Sequence, residues 1–174
     1  MSMEKVAVIG GGTMGNGITQ VFAMAGYRVN LVETSQELLD KALNKVDKNM
    51  GRLLRKEKIS EAQKNEAFNR IAPLISFADA LKDVDLVVEA VPEVFAIKKE
   101  VFEQADTYAP QEAVLASNTS SISITRLASV TNRPEHCIGM HFFNPVPVMP
   151  LVEVVSGLET DAQLLQRVKD TAGK

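Results

Sequence analysis

Short apolar runs alternate with amphipathic stretches along the whole chain, and the first run leads straight into a glycine turn and a helix pattern. The second run closes on an acid, Glu33. These observations predict an α/β fold of the Rossmann type, a doubly wound, mostly parallel sheet with flanking helices and right-handed crossovers. At 45% apolar and 24% charged, 174 residues suffice for one domain with a real core.

Val6-Ala7-Val8-Ile9 reads as a strand buried on both faces. Gly10-Gly11-Gly12-Thr13-Met14-Gly15 follows at once. Ile18, Val21, Phe22 and Ala25 then recur at helical spacing up to Gly26, and residues 28–32 form a second strand. Strand, glycine turn, helix, strand and acid together make the dinucleotide-binding fingerprint in its required context. Gly10 allows the tight turn, Gly12 lets the backbone approach a pyrophosphate, and Gly15 lets helix and strand pack closely. Thr13 and Met14 open the helix, whose free N–H groups and positive dipole end suit phosphates. The bland alternative is a structural glycine-rich turn. A carboxylate at Glu33 accepts hydrogen bonds from an adenosine ribose and repels a 2′-phosphate, so NAD is expected rather than NADP. Its bland alternative is a strand-end acid facing water.

Residues 36–58 carry a long helical pattern with an apolar stripe of Leu38, Leu39, Ala42, Leu43, Val46, Met50, Leu53 and Leu54. Lys41, Lys45, Lys48, Arg52 and Arg55 lie on another face, extended by Lys56 and Lys58. That is a solvated face, or at its C-terminal end a contact for the phosphates of a large anion. Ser60 and Gln63 read as a capping box for a helix through residue 71. Strands are expected at 74–77 and 85–91, the second closed by Pro92, and another at 113–116. An amphipathic helix over 97–108 should turn Ile97, Val101, Phe102 and Ala105 inward. The polar turn 117–123 falls at a strand C-terminus, where a sheet of this kind binds ligands. A helix over 124–130, a loop over 131–135 and a last helix over 161–171 complete the series.

Between them lies a strand over 137–143, then an irregular connection forced by Pro145, Pro147 and Pro150, then a strand over 151–155. If these two strands are neighbours, Glu153 faces His141. A carboxylate beside an imidazole fixes its tautomer and raises its basicity, which suits a general base. The alternative is a core-end histidine with Glu153 merely exposed.

The net charge of −3 gives no bulk attraction to nucleic acid or to an anionic membrane. No apolar run is long enough to span a bilayer and no signal peptide precedes the first strand, so a cytoplasmic protein is expected. Cys137, the single cysteine, cannot form an internal disulfide and reads as a small buried hydrophobe. No metal is expected.

The glycine motif, Asp85-Leu86-Val87-Val88-Glu89-Ala90-Val91-Pro92-Glu93, Ser117-Asn118-Thr119-Ser120-Ser121 and His141-Phe142-Phe143-Asn144-Pro145-Val146-Pro147, in that order, resemble the NAD-binding domain of L-3-hydroxyacyl-CoA dehydrogenases. The resemblance is greatest to the bacterial 3-hydroxybutyryl-CoA type and covers essentially the whole chain. It implies NAD-dependent interconversion of a 3-hydroxyacyl-CoA and a 3-oxoacyl-CoA. His141 would be the general base, Glu153 its orienting partner, and Ser120 a hydrogen-bond donor to the substrate oxygen beside the nicotinamide. Asn144, Glu93 and Lys98 would touch the cofactor or hold its pocket. Lys56 matches a contact to coenzyme A phosphate. Asn49 stands where the family usually has Ser, although an amide still hydrogen-bonds. Family members continue with a final strand and an all-helical domain that carries the homodimer interface. The chain is therefore expected to be the cofactor domain, residues 1–174, of a longer protein.

Two competing readings use the same glycine start. Hydroxyacid or phosphogluconate-type dehydrogenases place a Lys where this chain has His141. A non-catalytic NAD-binding structural or sensor protein would not need Ser120, His141 and Glu153 together.

Overall fold

A computed structural model describes residues 3–173. The elements run β1 (Lys5–Ile9), α1 (Thr13–Met24), β2 (Arg28–Val32), α2 (Gln36–Arg55), α3 (Glu61–Asn69), β3 (Ile71–Leu74), α4 (Phe77–Leu81), β4 (Leu86–Glu89), α5 (Phe95–Tyr108), β5 (Val114–Ser117), α6 (Ile124–Ala128), β6 (Cys137–Phe142), β7 (Val152–Ser156) and α7 (Ala162–Ala172). The strands form one sheet in the order β3-β2-β1-β4-β5-β6-β7. All pairs are parallel except β6 with β7, which is antiparallel.

Period-two alternation divides the strand side chains between two cores. Val6, Val8, Val29, Leu31, Leu86, Val88, Val114, Ala116, Ile138, Met140 and Phe142 pack with α1, α2, α3 and α7. Ala7, Ile9, Val32, Val87, Leu115 and Cys137 pack with α4, α5 and α6 on the other side. The same alternation assigns Glu89, Ser117 and His141 to the α4–α6 side, at the strand C-termini.

Several expectations need correcting. The capping box is present, with Ser60 Oγ and Gln63 Oε1 each accepting the other residue's N–H. The helix it opens stops at Asn69, however, and β3 is Ile71–Leu74 rather than 74–77. Ile71 is buried and pairs with Val29. Pro73 is tolerated because β3 is an edge strand. Phe77 instead begins α4, whose N-cap Ser76 accepts the N–H of Asp79. The strand expected at 85–91 is shorter, Leu86–Glu89. α2 ends at Arg55 and α6 at Ala128, both short of expectation. The loop before β6 contains a 3-10 turn, Pro134–His136. Leu38 is exposed rather than part of the α2 stripe.

The most informative correction is in α5. Ile97, expected inward, is 39% exposed, whereas Lys98 is 1% exposed. The buried stripe is Lys98, Val101, Phe102 and Ala105. Hydrophobicity is overruled there by an ion pair.

Candidate active site

The glycine turn is built as a phosphate cradle. Gly10 has φ +92°, which favours glycine, and its N–H donates to Val32 O at 2.8 Å. A Cβ on Gly15 would lie 1.7 Å from the Gly10 carbonyl oxygen, so only glycine lets α1 pack this close to the turn. A Cβ on Gly12 would meet nothing within 4 Å, so the space before the helix is open. No side chain caps α1 and no acid sits in its first turn. Its N-terminal N–H groups therefore remain available to an anion. Glu33 Oε1 accepts the Gly11 N–H at 2.6 Å, which fixes the carboxylate beside the turn. These features fit a pyrophosphate and an adenosine ribose.

At the next strand end, Glu89 is fully buried and lies opposite Ser117 in the β4–β5 ladder. Glu89 Oε1 accepts from Lys98 Nζ at 2.6 Å and from the Val91 N–H at 2.7 Å, while Oε2 accepts from Ser117 Oγ at 2.6 Å. Lys98 Nζ also donates to Val91 O at 3.2 Å and pairs with Glu93 Oε2 at 3.1 Å. Glu93 Oε1 accepts from the hydroxyls of Thr119 and Ser121 and from the Ser120 N–H. Burial alone would raise the Glu93 pKa. The hydrogen bonds from Thr119 and Lys98, the Lys98 charge and the Ser121 hydroxyl outweigh it and hold the carboxyl at about 2.

On β6 and β7 the antiparallel register sets His141 directly opposite Glu153. His141 Nδ1 lies 2.8 Å from Glu153 Oε2, so the pair engages Nδ1 and not Nε2. The expected neighbour relation is therefore met. Asn118 Oδ1 accepts the Phe142 N–H at 2.8 Å and ties β6 to the polar turn beside the histidine.

Two clefts meet here. One, of about 370 Å3, is lined by Met14, Glu93, Lys98, Ser120, His141 and Asn144 among others. The other, of about 310 Å3, is lined by Ser120, His141, Glu153 and Ser156 with the 119–125 turn. Ser120 and His141 belong to both, so they form the wall between them. A larger, apolar cleft of about 450 Å3 between α1, α7 and the 146–152 connection contains none of the expected site residues.

Lys56 and Asn49 stand apart from both clefts. Lys56 is exposed at the C-terminal end of α2. Asn49 is half-buried, and its Nδ2 lies 3.4 Å from Asn16 Oδ1 on α1. Cys137 is buried, which pushes its thiol up to about 11 and leaves it inert. Among the described residues no group of acids, histidines or cysteines could hold a metal ion.

The sequence placed Ser117 and Asn118 in the polar turn 117–123 but assigned neither a role, and it gave Glu89 none at all. The available signal was an acid inside an otherwise apolar parallel strand, where charges are rarely buried unpaired.

The sequence profile of the 3-hydroxyacyl-CoA dehydrogenase NAD-binding domain matches residues 5–174. The chain belongs to this family. A 3-hydroxybutyryl-CoA dehydrogenase of Clostridioides difficile is 50% identical over 88% of the chain and 54% of the relative. One from Bradyrhizobium diazoefficiens is 42% identical over 99% of the chain and 58% of the relative. The crystal structure of (S)-3-hydroxybutyryl-CoA dehydrogenase PaaH1 from Ralstonia eutropha superposes with a TM-score of 0.96 at 44% identity, over 98% of this chain and 60% of that one. The chain thus spans little more than half the length of these 3-hydroxyacyl-CoA dehydrogenases. Its cofactor is NAD.

Proposed function

We propose that the chain is the cofactor-binding part of an enzyme that interconverts an L-3-hydroxyacyl-CoA, 3-hydroxybutyryl-CoA foremost, and the 3-oxoacyl-CoA. The observation that carries the reading is the wall of Ser120 and His141 between two clefts, with Glu153 on Nδ1 of the histidine. When bound, the nicotinamide supplies the acceptor for the C3 hydride. His141 Nε2 takes the hydroxyl proton as the hydride leaves C3, and returns it in the reverse direction. Glu153 holds the imidazole in the tautomer that presents a basic Nε2 and stabilises the imidazolium that forms. Ser120 donates to the substrate oxygen. Gly10, Gly12, Thr13, Met14 and Gly15 cradle the pyrophosphate, and Glu33 takes the adenosine ribose. Glu93, Lys98 and Asn144 shape the nicotinamide end. Lys56 and Asn49 contact the coenzyme A. The longer protein is proposed to be cytoplasmic and to dimerise through a helical domain beyond residues 1–174.

The test is acetoacetyl-CoA reduction by the full-length protein, followed by NADH absorbance. His141→Gln is expected to lower turnover by about two to four orders of magnitude with little change in NADH affinity. Glu153→Gln should be severe as well, and the double variant far from additive if the pair acts as a unit. Additive losses would separate the two residues. Full turnover without His141 would place the base elsewhere and favour a non-catalytic role for this histidine.

A further inference from the structure

The buried Glu89 has no part in the chemistry just proposed, yet it is the most deeply buried carboxylate in the site. It is 0% exposed and accepts three hydrogen bonds, from Lys98, Val91 and Ser117. Lys98, 1% exposed, has three N–H donors, and three acceptors surround it: Glu89 Oε1, Glu93 Oε2 and Val91 O. Lys98 therefore has no donor to spare for a ligand unless it releases one of them. Its place in the cleft wall is that of a bracket. On its far side Glu93 is partly open to solvent and holds the Thr119 hydroxyl, the Ser120 N–H and the Ser121 hydroxyl.

We infer that Glu89, backed by Ser117, is a positioning residue for the nicotinamide end of the site. It holds the Lys98 ammonium against Glu93 and so sets the turn that carries Ser120. Two carboxylates share one buried cation. Without the Glu89 charge, Lys98 keeps only Glu93 as an ionic partner, and a buried ammonium left under-paired is costly. Glu93 is then drawn toward Lys98 and gives up bonds to the 119–121 turn. Ser117 holds the outer oxygen of Glu89 and also accepts the Thr119 N–H at 3.2 Å, so it ties the same turn from below. The glycine turn and Glu33 bond to neither Lys98 nor Ser117.

This inference rests on NAD as the cofactor, and the experiment separates the two. NADH and ADP-ribose, which lacks the nicotinamide, are titrated into the wild-type chain and the Glu89→Gln and Ser117→Ala variants by calorimetry, with circular dichroism to confirm folding. Glu89→Gln is expected to weaken NADH by about tenfold or more, equivalent to 1.4 kcal/mol, and ADP-ribose by less than about twofold. Ser117→Ala, a small change that leaves the ion pair in place, should show the same split at about threefold. It decides the matter alone if Glu89→Gln does not fold. Equal losses for both ligands would make the network a fold-wide support and overturn the inference. So would unchanged NADH affinity in the variants. Wild type that binds neither ligand would overturn the NAD assignment together with it.

Discussion

Glu33 is fixed at the glycine turn by the protein itself, since its Oε1 accepts the Gly11 N–H. The carboxylate thus both orders the turn and presents negative charge where a 2′-phosphate would have to sit. Glu33→Gln should weaken NADH binding and narrow its preference over NADPH, because the repulsive charge goes while the amide still reaches the turn. Fluorescence titration with both cofactors checks this; equal affinities before and after would make Glu33 a surface acid. Glu93 gives a second prediction at this scale. Its carboxyl lies at about 2 against an ordinary 4.5, so the stability it contributes is fully present above 4.5. It is lost as pH falls through 2. The gap in thermal midpoint between wild type and Glu93→Gln should therefore be constant near neutrality and close in acid. Because the side chain is 40% exposed, solvent screening keeps the gap small.

At the scale of elements, α5 is held from both ends by buried charges. Lys98 anchors its first turns to β4. At its other end Arg133, 0% exposed, donates from Nε to Asp106 Oδ1 at 2.9 Å and from its remaining nitrogens to the carbonyls of Ala105, Asp106, Ala109 and Pro110. The Asp106 and Ala109 carbonyls are among those that a helix end leaves unsatisfied, while those of Ala105 and Pro110 also accept the N–H groups of Ala109 and Ala113. Asp106 is correspondingly held below the usual carboxylate range: burial would raise it, but hydrogen bonds from Asn132 and Arg133 and the Arg133 charge prevail. Arg133→Ala leaves Asp106 with only its Asn132 hydrogen bonds and takes the side-chain donor from the Asp106 and Ala109 carbonyls, and should cost about 3 kcal/mol of stability in denaturant unfolding. NADH affinity of the folded variant should barely change, since Arg133 lines neither site cleft.

For the molecule as a whole, one sheet carries two cores, and the strand C-termini between them carry the site. The phosphate cradle needs only β1, α1 and β2, and the nicotinamide end adds the Lys98 bracket, all within residues 1–174. The chain by itself should bind NADH. Turnover is a harder requirement, because a substrate must be oriented against the nicotinamide and shielded from water. His141 and Glu153 are 22% and 55% exposed, so both stay open to water among the described residues. Residues 1–174 are therefore expected to bind NADH with little or no acetoacetyl-CoA reduction, unlike the longer protein, as parallel fluorescence and absorbance assays would show. Near-full turnover would mean that the substrate site lies wholly within this chain. Val148, Leu151, Val155 and Leu158 are exposed along one stretch, so self-association at high concentration should be visible by sedimentation.

Local rules made much of this legible in the sequence. Two-residue and helical periods set the strand and helix order, and a glycine turn between strand and helix has few other uses. The single acid at the end of β2 and the histidine near the end of β6 were also visible as candidates. What tertiary structure decided was which side chains meet. Only the antiparallel turn of β7 onto β6 could bring Glu153 to His141, because a pairing across a proline-rich connection has no local signature. Only the parallel ladder of β4 with β5 could show that Glu89 is satisfied by Ser117 and by a lysine from α5. Periodicity sent Ile97 inward and left Lys98 out. The structure reversed them, because a buried carboxylate attracts a cation more strongly than a core attracts one more isoleucine.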